Sequence, residues 1–155
     1  METSLKVVMA EKEALLAEKG GKLYTVTPDA TAASAIAAMC DAGIGCVLVV
    51  QDDRLLGVFS ERDVMRRIAL RGLAADQVTV GEVMTTQLVT VTPDTTVEQA
   101  LIQCTDRRIR HLPVTVGEQL LGLLSIGDLV RFVVKDKDRT IADLTDYIHG
   151  HQIQI

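Results

Sequence analysis

The 155-residue sequence has almost no aromatic side chains: two Tyr, two Phe and no Trp. Its core must therefore rest on Ile, Leu, Val and Ala. Cysteine is scarce too. Cys40, Cys46 and Cys104 are odd in number and lack C-x-x-C spacing, which argues against a disulfide framework and fits reduced thiols. The longest aliphatic stretch, Cys46-Val47-Leu48-Val49-Val50, is far too short to span a bilayer. No basic segment followed by an apolar run opens the sequence, so no signal peptide is expected and the chain reads as cytoplasmic. Positive charge is in deficit, with 16 Lys and Arg against 21 Asp and Glu and a net charge of −5. That balance argues against bulk binding to nucleic acid or to an anionic membrane. G-x-S-x-G, H-E-x-x-H and P-loop motifs are missing, so no enzyme is expected. The cysteines and His111, His149 and His151 lack metal-ligand spacing, so no metal site is expected either.

What the sequence does have is repetition. Tyr24-Thr25-Val26-Thr27-Pro28-Asp29 returns as Val89-Thr90-Val91-Thr92-Pro93-Asp94. Leu55-Leu56-Gly57-Val58-Phe59-Ser60-Glu61-Arg62-Asp63 returns as Leu120-Leu121-Gly122-Leu123-Leu124-Ser125-Ile126-Gly127-Asp128. Thr25 to Thr90, Gly57 to Gly122 and Asp63 to Asp128 each span 65 positions, so the copies align without a gap. Units this small are near the lower limit of independent stability, which favours close pairing of the copies. The cleft between them is the expected place for a ligand.

Periodicity and punctuation predict the elements. Residues 5–18 read as a helix with Leu5, Val8, Met9, Leu15 and Leu16 on one face, stopped by Gly20-Gly21. A strand over 23–27 follows, then a helix capped by Thr31 and broken by Gly43. A strand over 45–50 turns through Gln51-Asp52-Asp53-Arg54 into a hairpin partner over 55–59, and a helix runs from Glu61 to about Leu70. The second copy repeats this as strand 88–92, helix 97–107, strand 111–115, strand 120–124 and helix 126–135. Thr96-Val97-Glu98-Gln99 forms a capping box at the start of its first helix. A last helix is expected over 140–149, capped by Thr140, with Ile141, Leu144 and Ile148 as its apolar stripe. The domain organisation is then an N-terminal helix at 1–20, repeat 1 at 21–72, a linker at 73–82, repeat 2 at 83–136 and a C-terminal helix and tail at 137–155. The fold class is α+β, two tandem β-α-β-β-α repeats packed as a pseudo-two-fold module with added terminal helices.

Ser60-x-x-Asp63 and Ser125-x-x-Asp128 carry the chemistry. Each follows a strand and opens a helix. A cap in which hydroxyl and carboxylate satisfy orphan N–H groups accounts for one such motif by itself. A helix N-terminus also favours phosphate, and a carboxylate one turn in can accept both hydroxyls of a ribose. Both readings stand at this level. The copies differ where Arg62, a phosphate fork or simply a solvated residue, faces Gly127 in the alignment. They differ again where Gly43-Ile44-Gly45-Cys46 meets Arg108-Ile109-Arg110-His111. Arg107 and Arg108 fit a helix C-terminus.

The duplicated order of elements resembles a tandem pair of CBS domains, a Bateman module, over about residues 20–135. Its most specific residues are Gly57-Val58-Phe59-Ser60-Glu61-Arg62-Asp63-Val64 and Gly122-Leu123-Leu124-Ser125-Ile126-Gly127-Asp128-Leu129. Glu82-Val83-Met84-Thr85 looks like the opening of a repeat, and Arg110-His111-Leu112-Pro113-Val114 like its second strand. The chain resembles in particular bacterial stand-alone CBS-pair proteins that bind AMP or NAD(H). The resemblance implies Asp63 and Asp128 on ribose, and Ser60 and Ser125 toward phosphate, joined there by Arg110 and His111; Arg62 is a candidate on its charge alone. It implies adenine held by apolar and main-chain groups near Leu23-Tyr24 and from Gln87 to Val89, with Ile44 and Ile109. Gly45, Cys46, Met84, Pro113 and Ile126 complete the expected nucleotide-contacting set.

The expected function is regulatory binding of AMP, ATP or NAD(H), with no required cofactor, in a homodimer that reports to an unidentified partner. Apolar stripes on helices 5–18 and 140–149 are the ground for expecting the dimer. The alternative is a CBS-pair scaffold or dimerisation protein without functional nucleotide binding.

Overall fold

Asp52 and Asp53 have φ of 53° and 63°, the pair of left-handed residues that a two-residue hairpin turn needs to match the twist of its strands. They join β2 (Cys46–Gln51) to β3 (Arg54–Ser60). The two strands pair antiparallel from Cys46↔Ser60 to Gln51↔Arg54, with an irregularity at Val49/Val50. Short β1 (Thr25–Val26) adds in parallel, Thr25 opposite Leu48. Repeat 2 supplies β4 (His111–Val116) and β5 (Gln119–Ser125), turning at Gly117 with φ 60°. The five strands lie in the order β1-β2-β3-β5-β4. β3 meets β5 at Arg54↔Gln119, where Arg54 also pairs with Glu118 at 2.8 Å.

The computed structural model describes residues 3–19 and 23–137, with backbone only for 13–19. The expected helix at 140–149, with Thr140, Ile141, Leu144 and Ile148, lies outside the described residues, as does the Gly20-Gly21 stop. The helices are α1 (Leu5–Lys19), α2 (Ala32–Ala42), α3 (Glu61–Asp63, continuing directly as a π-helix over Val64–Ala69), α4 (Val80–Val83), α5 (Val97–Arg107) and α6 (126–137). Their ends follow local chemistry. Thr31 accepts the Ser34 N–H at 3.1 Å, and Gly43 closes α2 in the left-handed region at φ 66°, as helix caps require. Thr96 and Gln99 form the expected capping box. Among the described residues no helix is long and apolar enough to cross a membrane.

Three expectations change. Residues 86–90 form no strand and Val91 makes only an isolated bridge, so repeat 2 lacks the ladder that β1 makes in repeat 1. The end of the expected linker is helical and runs on as α4 into residue 83, because Thr79 and Glu82 form a capping box that starts a helix at Val80. The second helix of repeat 1 widens to i→i+5 bonding, with Leu70 N–H donating to Met65 O at 2.9 Å, whereas α6 stays α-helical.

The chain divides into two compact units. One comprises the described residues of Gly20–Thr90 with Pro113–Gly122; the other comprises those of Met1–Lys19, Val91–Leu112 and Leu123–Ile155. The first has a core of Ala32, Ala35, Met39, Val47, Val49, Phe59, Ile68, Val80 and Val83. In the second, Val97, Ala100, Cys104, Leu112 and Leu124 are buried at positions equivalent to Ala32, Ala35, Met39, Val47 and Phe59. Cys104 is thus a core residue standing where repeat 1 has Met39. Burial of each large aliphatic or aromatic chain contributes about 1.5–3 kcal/mol.

α1 has a definite counterpart. Val97 N–H donates to Thr3 O, Leu5 N–H to Thr95 O and Lys6 N–H to Pro93 O. In the other unit Ala32 N–H donates to Val78 O, Val80 N–H to Ala30 O and Gly81 N–H to Pro28 O. Bridges Ser4↔Thr96 and Thr31↔Thr79 complete the match. The start of α1 is therefore to repeat 2 what α4 is to repeat 1. Leu5 and Val8 are buried in this way. That part of the α1 stripe is used inside its own unit, which removes it as a ground for expecting a dimer; the side chains of Leu15 and Leu16 lie outside the described residues.

Candidate functional site

In repeat 1, β3 delivers Ser60 to the first turn of α3. The Ser60 hydroxyl accepts the Asp63 N–H at 3.4 Å and donates to Asp63 Oδ2 at 3.2 Å, while Oδ2 also accepts the Ser60 N–H at 2.9 Å. Oδ1 accepts the Thr85 hydroxyl at 2.7 Å and faces Arg67 Nε at 3.6 Å. Arg67 in turn donates to the Met84 carbonyl at 2.8 Å. Thr85 is held in place by two backbone bonds to Val58, 2.9 and 3.0 Å long. Gly57 makes this approach possible: a Cβ there would lie 2.7 Å from Met84 Sδ and 2.8 Å from Thr85 O. With both oxygens satisfied and only 4% of the residue exposed, Asp63 is a buried structural hub.

In repeat 2, β5 delivers Ser125 to α6 with the same box. Asp128 Oδ2 accepts the Ser125 N–H at 2.8 Å, and the Ser125 hydroxyl accepts the Asp128 N–H at 3.0 Å. The remaining partners are cations. Lys12 Nζ lies 2.7 Å from Oδ2, and Arg131 Nη2 lies 3.2 Å from Oδ1. Lys12 also donates to Leu123 O at 2.7 Å. Burial pushes the Asp128 carboxyl up, but hydrogen bonds from Lys12 and the Ser125 backbone, with the charge of Lys12, outweigh it and hold the carboxyl below its usual range. A groove beside it is lined by Val8, Glu11, Lys12, Arg131, Phe132 and Lys135.

The strand-start residues sit at the helix entrances. Glu61 N–H donates to Gly45 O at 3.0 Å, and Ile126 N–H donates to Arg110 O at 2.8 Å. Arg110 is thereby fixed beside the start of α6. His111 is half-buried, and burial lowers its pKa, helped by the charges of Lys12 and Arg110 and opposed by Asp128. Arg62 is exposed on α3. Cys46 is buried, and burial with the Glu61 charge pushes its thiol up to about 11, so it is an inert packing residue. Ile44, Met84, Val89, Ile109 and Ile126 are half-buried and Tyr24 is exposed. Pro113 is buried in β4. Within one unit the structure brings together Ser125, Ile126, Asp128, Arg110 and His111; within the other, Ser60, Asp63, Gly45 and Met84. Among the described residues no group of three or more His, Cys, Asp or Glu could hold a metal.

The CBS domain family model matches residues 21–70 and 80–135. The chain belongs to the CBS domain family. It is 38% identical over 135 residues to the mitochondrial CBS domain-containing protein CBSX3 of Arabidopsis thaliana, a match covering 84% of this chain and 66% of that protein. A second relative, an uncharacterized 33.4 kDa protein of Thermofilum pendens, is 35% identical over 99 residues, covering 63% of this chain and 32% of that one. The chain thus spans under two thirds of the length of these two relatives. The crystal structure of the CBS domain NE2398 superposes with a TM-score of 0.73 at 34% identity, covering 85% of this chain and 98% of that chain. CBSX2, solved in complex with AMP, shares the fold with a TM-score of 0.66 at 24% identity, covering 74% of this chain and 90% of that chain.

The CBS-pair architecture holds residues that motif reading missed. Thr85 and Arg67 close Asp63, and Lys12 closes Asp128. The signal for Lys12 was available: Ser4-Leu5-x-x-Val8-Met9 mirrors Thr79-Val80-x-x-Val83-Met84, each pair of positions lying 75 apart. That short apolar pattern is easily absorbed into an ordinary amphipathic helix.

Proposed function

We propose that this CBS pair is a regulatory module that binds an adenine nucleotide, AMP, ATP or NAD(H), through its Ser-x-x-Asp hooks. The observation that carries the reading is Asp128. It is an ionised carboxylate at the start of a long helix, beside Arg110 and His111, with Lys12 and Arg131 as its cationic neighbours. A carboxylate so placed can accept a ribose diol, and the partial positive charge of the helix start favours phosphate. The AMP complex of CBSX2 supports this ligand class. The same resemblance supports Ser60 and Asp63 as the corresponding contacts in repeat 1, with Arg62 beside them on its charge, and Tyr24, Ile44, Gly45, Cys46, Met84, Val89, Ile109, Pro113 and Ile126 around the base. Ligand binding would favour one arrangement of the chain over another, and an unidentified partner would read that arrangement.

A homodimer through the repeat helices belongs to this reading. Met65 and Val130 stand at equivalent positions and are 64% and 48% exposed, beside exposed Leu70 and Val134. The scaffold alternative draws on Asp63, whose oxygens are all occupied internally. Thermal-shift measurements with AMP, ATP, NADH and S-adenosylmethionine separate the two. Stabilisation by one of them, lost in Asp128→Ala, supports binding; flat curves with all four leave the scaffold.

A further inference from the structure

Thr85 in one unit and Lys12 in the other answer the same pair of acceptors. In repeat 1 these are Val58 O and the Asp63 carboxylate, taken by the Thr85 N–H at 2.9 Å and the Thr85 hydroxyl at 2.7 Å. The equivalents in repeat 2, 65 positions on, are Leu123 O and the Asp128 carboxylate. Both are taken by one Lys12 ammonium, at 2.7 Å each. The cause is local. After α4 the chain leaves the helix at Met84, whose ψ is 160°, and Thr85 lies extended against β3. After the matching turn α1 keeps its helix to Lys19. The chain following that turn therefore stays in the helix, and at Leu123 of β5 the Lys12 side chain takes the place that the Thr85 backbone holds at Val58.

These two closures differ in what opens them. Releasing Asp63 means breaking a two-bond backbone bridge together with a hydroxyl bond. Releasing Asp128 from Lys12 needs only rotation about the four-carbon stem of a side chain that is 27% exposed. The displaced ammonium then stands in a groove that also holds Arg131 and Lys135. A neutral ribose that takes over Asp128 displaces Lys12 from its anion and supplies no replacement charge, in a groove also lined by Arg131, Lys135 and Glu11. A phosphorylated ligand brings a replacement anion with it.

We propose that Lys12 is the residue by which repeat 2 selects nucleotides over nucleosides, acting as a displaceable counter-ion of Asp128 that is recaptured by the ligand's phosphate. This rests on the nucleotide-binding reading above. The test is calorimetric titration of the full chain with AMP and with adenosine, following the binding that Asp128→Asn removes. Lys12→Met keeps the stem and deletes the charge. In that variant adenosine binds more tightly and AMP more weakly, and the AMP-to-adenosine preference falls about tenfold. Lys12→Arg retains most of the preference. Should Lys12→Met fail to fold, Lys12→Gln reads the same ratio. An unchanged ratio in the uncharged variant overturns the role of Lys12 while leaving nucleotide binding intact. An equal gain for both ligands makes Lys12 a plug and also overturns it. Failure of the wild-type chain to bind AMP overturns both this role and the function on which it rests.

Discussion

Asp63 and Asp128 occupy equivalent places in two capping boxes, yet their side chains are 5% and 14% exposed and they are closed by different chemistry. Asp63 is held by the Thr85 hydroxyl, the Ser60 backbone and the Arg67 guanidinium. Asp128 is held by the Ser125 backbone and by Lys12 and Arg131, both cations carried on flexible stems. One motif, written twice, is closed by a neighbouring backbone and hydroxyl in repeat 1 and by two side-chain cations in repeat 2.

The hub should be visible in stability. Asp63→Ala leaves the Thr85 hydroxyl and the Ser60 N–H without an acceptor in a buried place and frees Arg67 of its anion. The expected cost is about 2–3 kcal/mol, set by hydrogen bonds to a charged acceptor. Asp128→Ala should cost less, because Lys12 and Arg131 can turn to solvent. Urea unfolding of the two variants against wild type measures the difference; equal losses contradict the hub.

Charge should separate ligands in the same way at the helix entrances. Arg110 is anchored beside the start of α6 by its own carbonyl, and Arg62 projects from the first turn of α3. Replacing either with Ala should weaken AMP or ATP much more than adenosine. Parallel isothermal titrations with nucleotide and nucleoside read this directly, and equal loss for both ligands places the arginine outside the site.

His111 predicts a pH dependence. Its folded pKa lies below the ordinary 6.5 because burial and the charges of Lys12 and Arg110 outweigh Asp128. The unfolded chain therefore binds the proton more readily. Stability is level above pH 6.5, falls as pH drops below it, and stops falling once the lowered folded value has been passed. The lowered carboxyl of Asp128 acts in a separate window, its contribution being lost only as pH falls below 3.8. Unfolding free energies measured across pH 4.5–8 should show the His111 slope in wild type and a flat line in His111→Gln.

Much of the architecture was legible because it depends on neighbours in the chain. Thr31, Gly43 and the Thr96–Gln99 box cap helices through bonds within a few residues, and the short, Val-rich apolar run Cys46–Val50, bounded by Gly45 and the turn at Gln51-Asp52-Asp53-Arg54, reads as a buried strand. The spacing of 65 aligned the two copies, and the structure buries matching positions in both, with Cys104 where repeat 1 has Met39. Strand 88–92 was misread because its Val-Thr alternation copies β1, whereas a strand exists only if a neighbour bonds to it. The linker hid α4, since four helical residues carry too little periodicity to register.

The candidate site divides along the same line. The sequence by itself determined that each repeat ends a strand in Ser-x-x-Asp at a helix start, because a cap is a contact over three residues. It also determined the copies' charge contrasts, Arg62 against Gly127 and Gly45-Cys46 against Arg110-His111. Only the tertiary structure decided what meets the two carboxylates. Thr85 reaches Asp63 from 22 positions away and Lys12 reaches Asp128 from 116. Such partners are set by where a helix ends and the chain turns: α4 stops at Val83 and brings a backbone to β3, while α1 runs on and brings a lysine to Asp128.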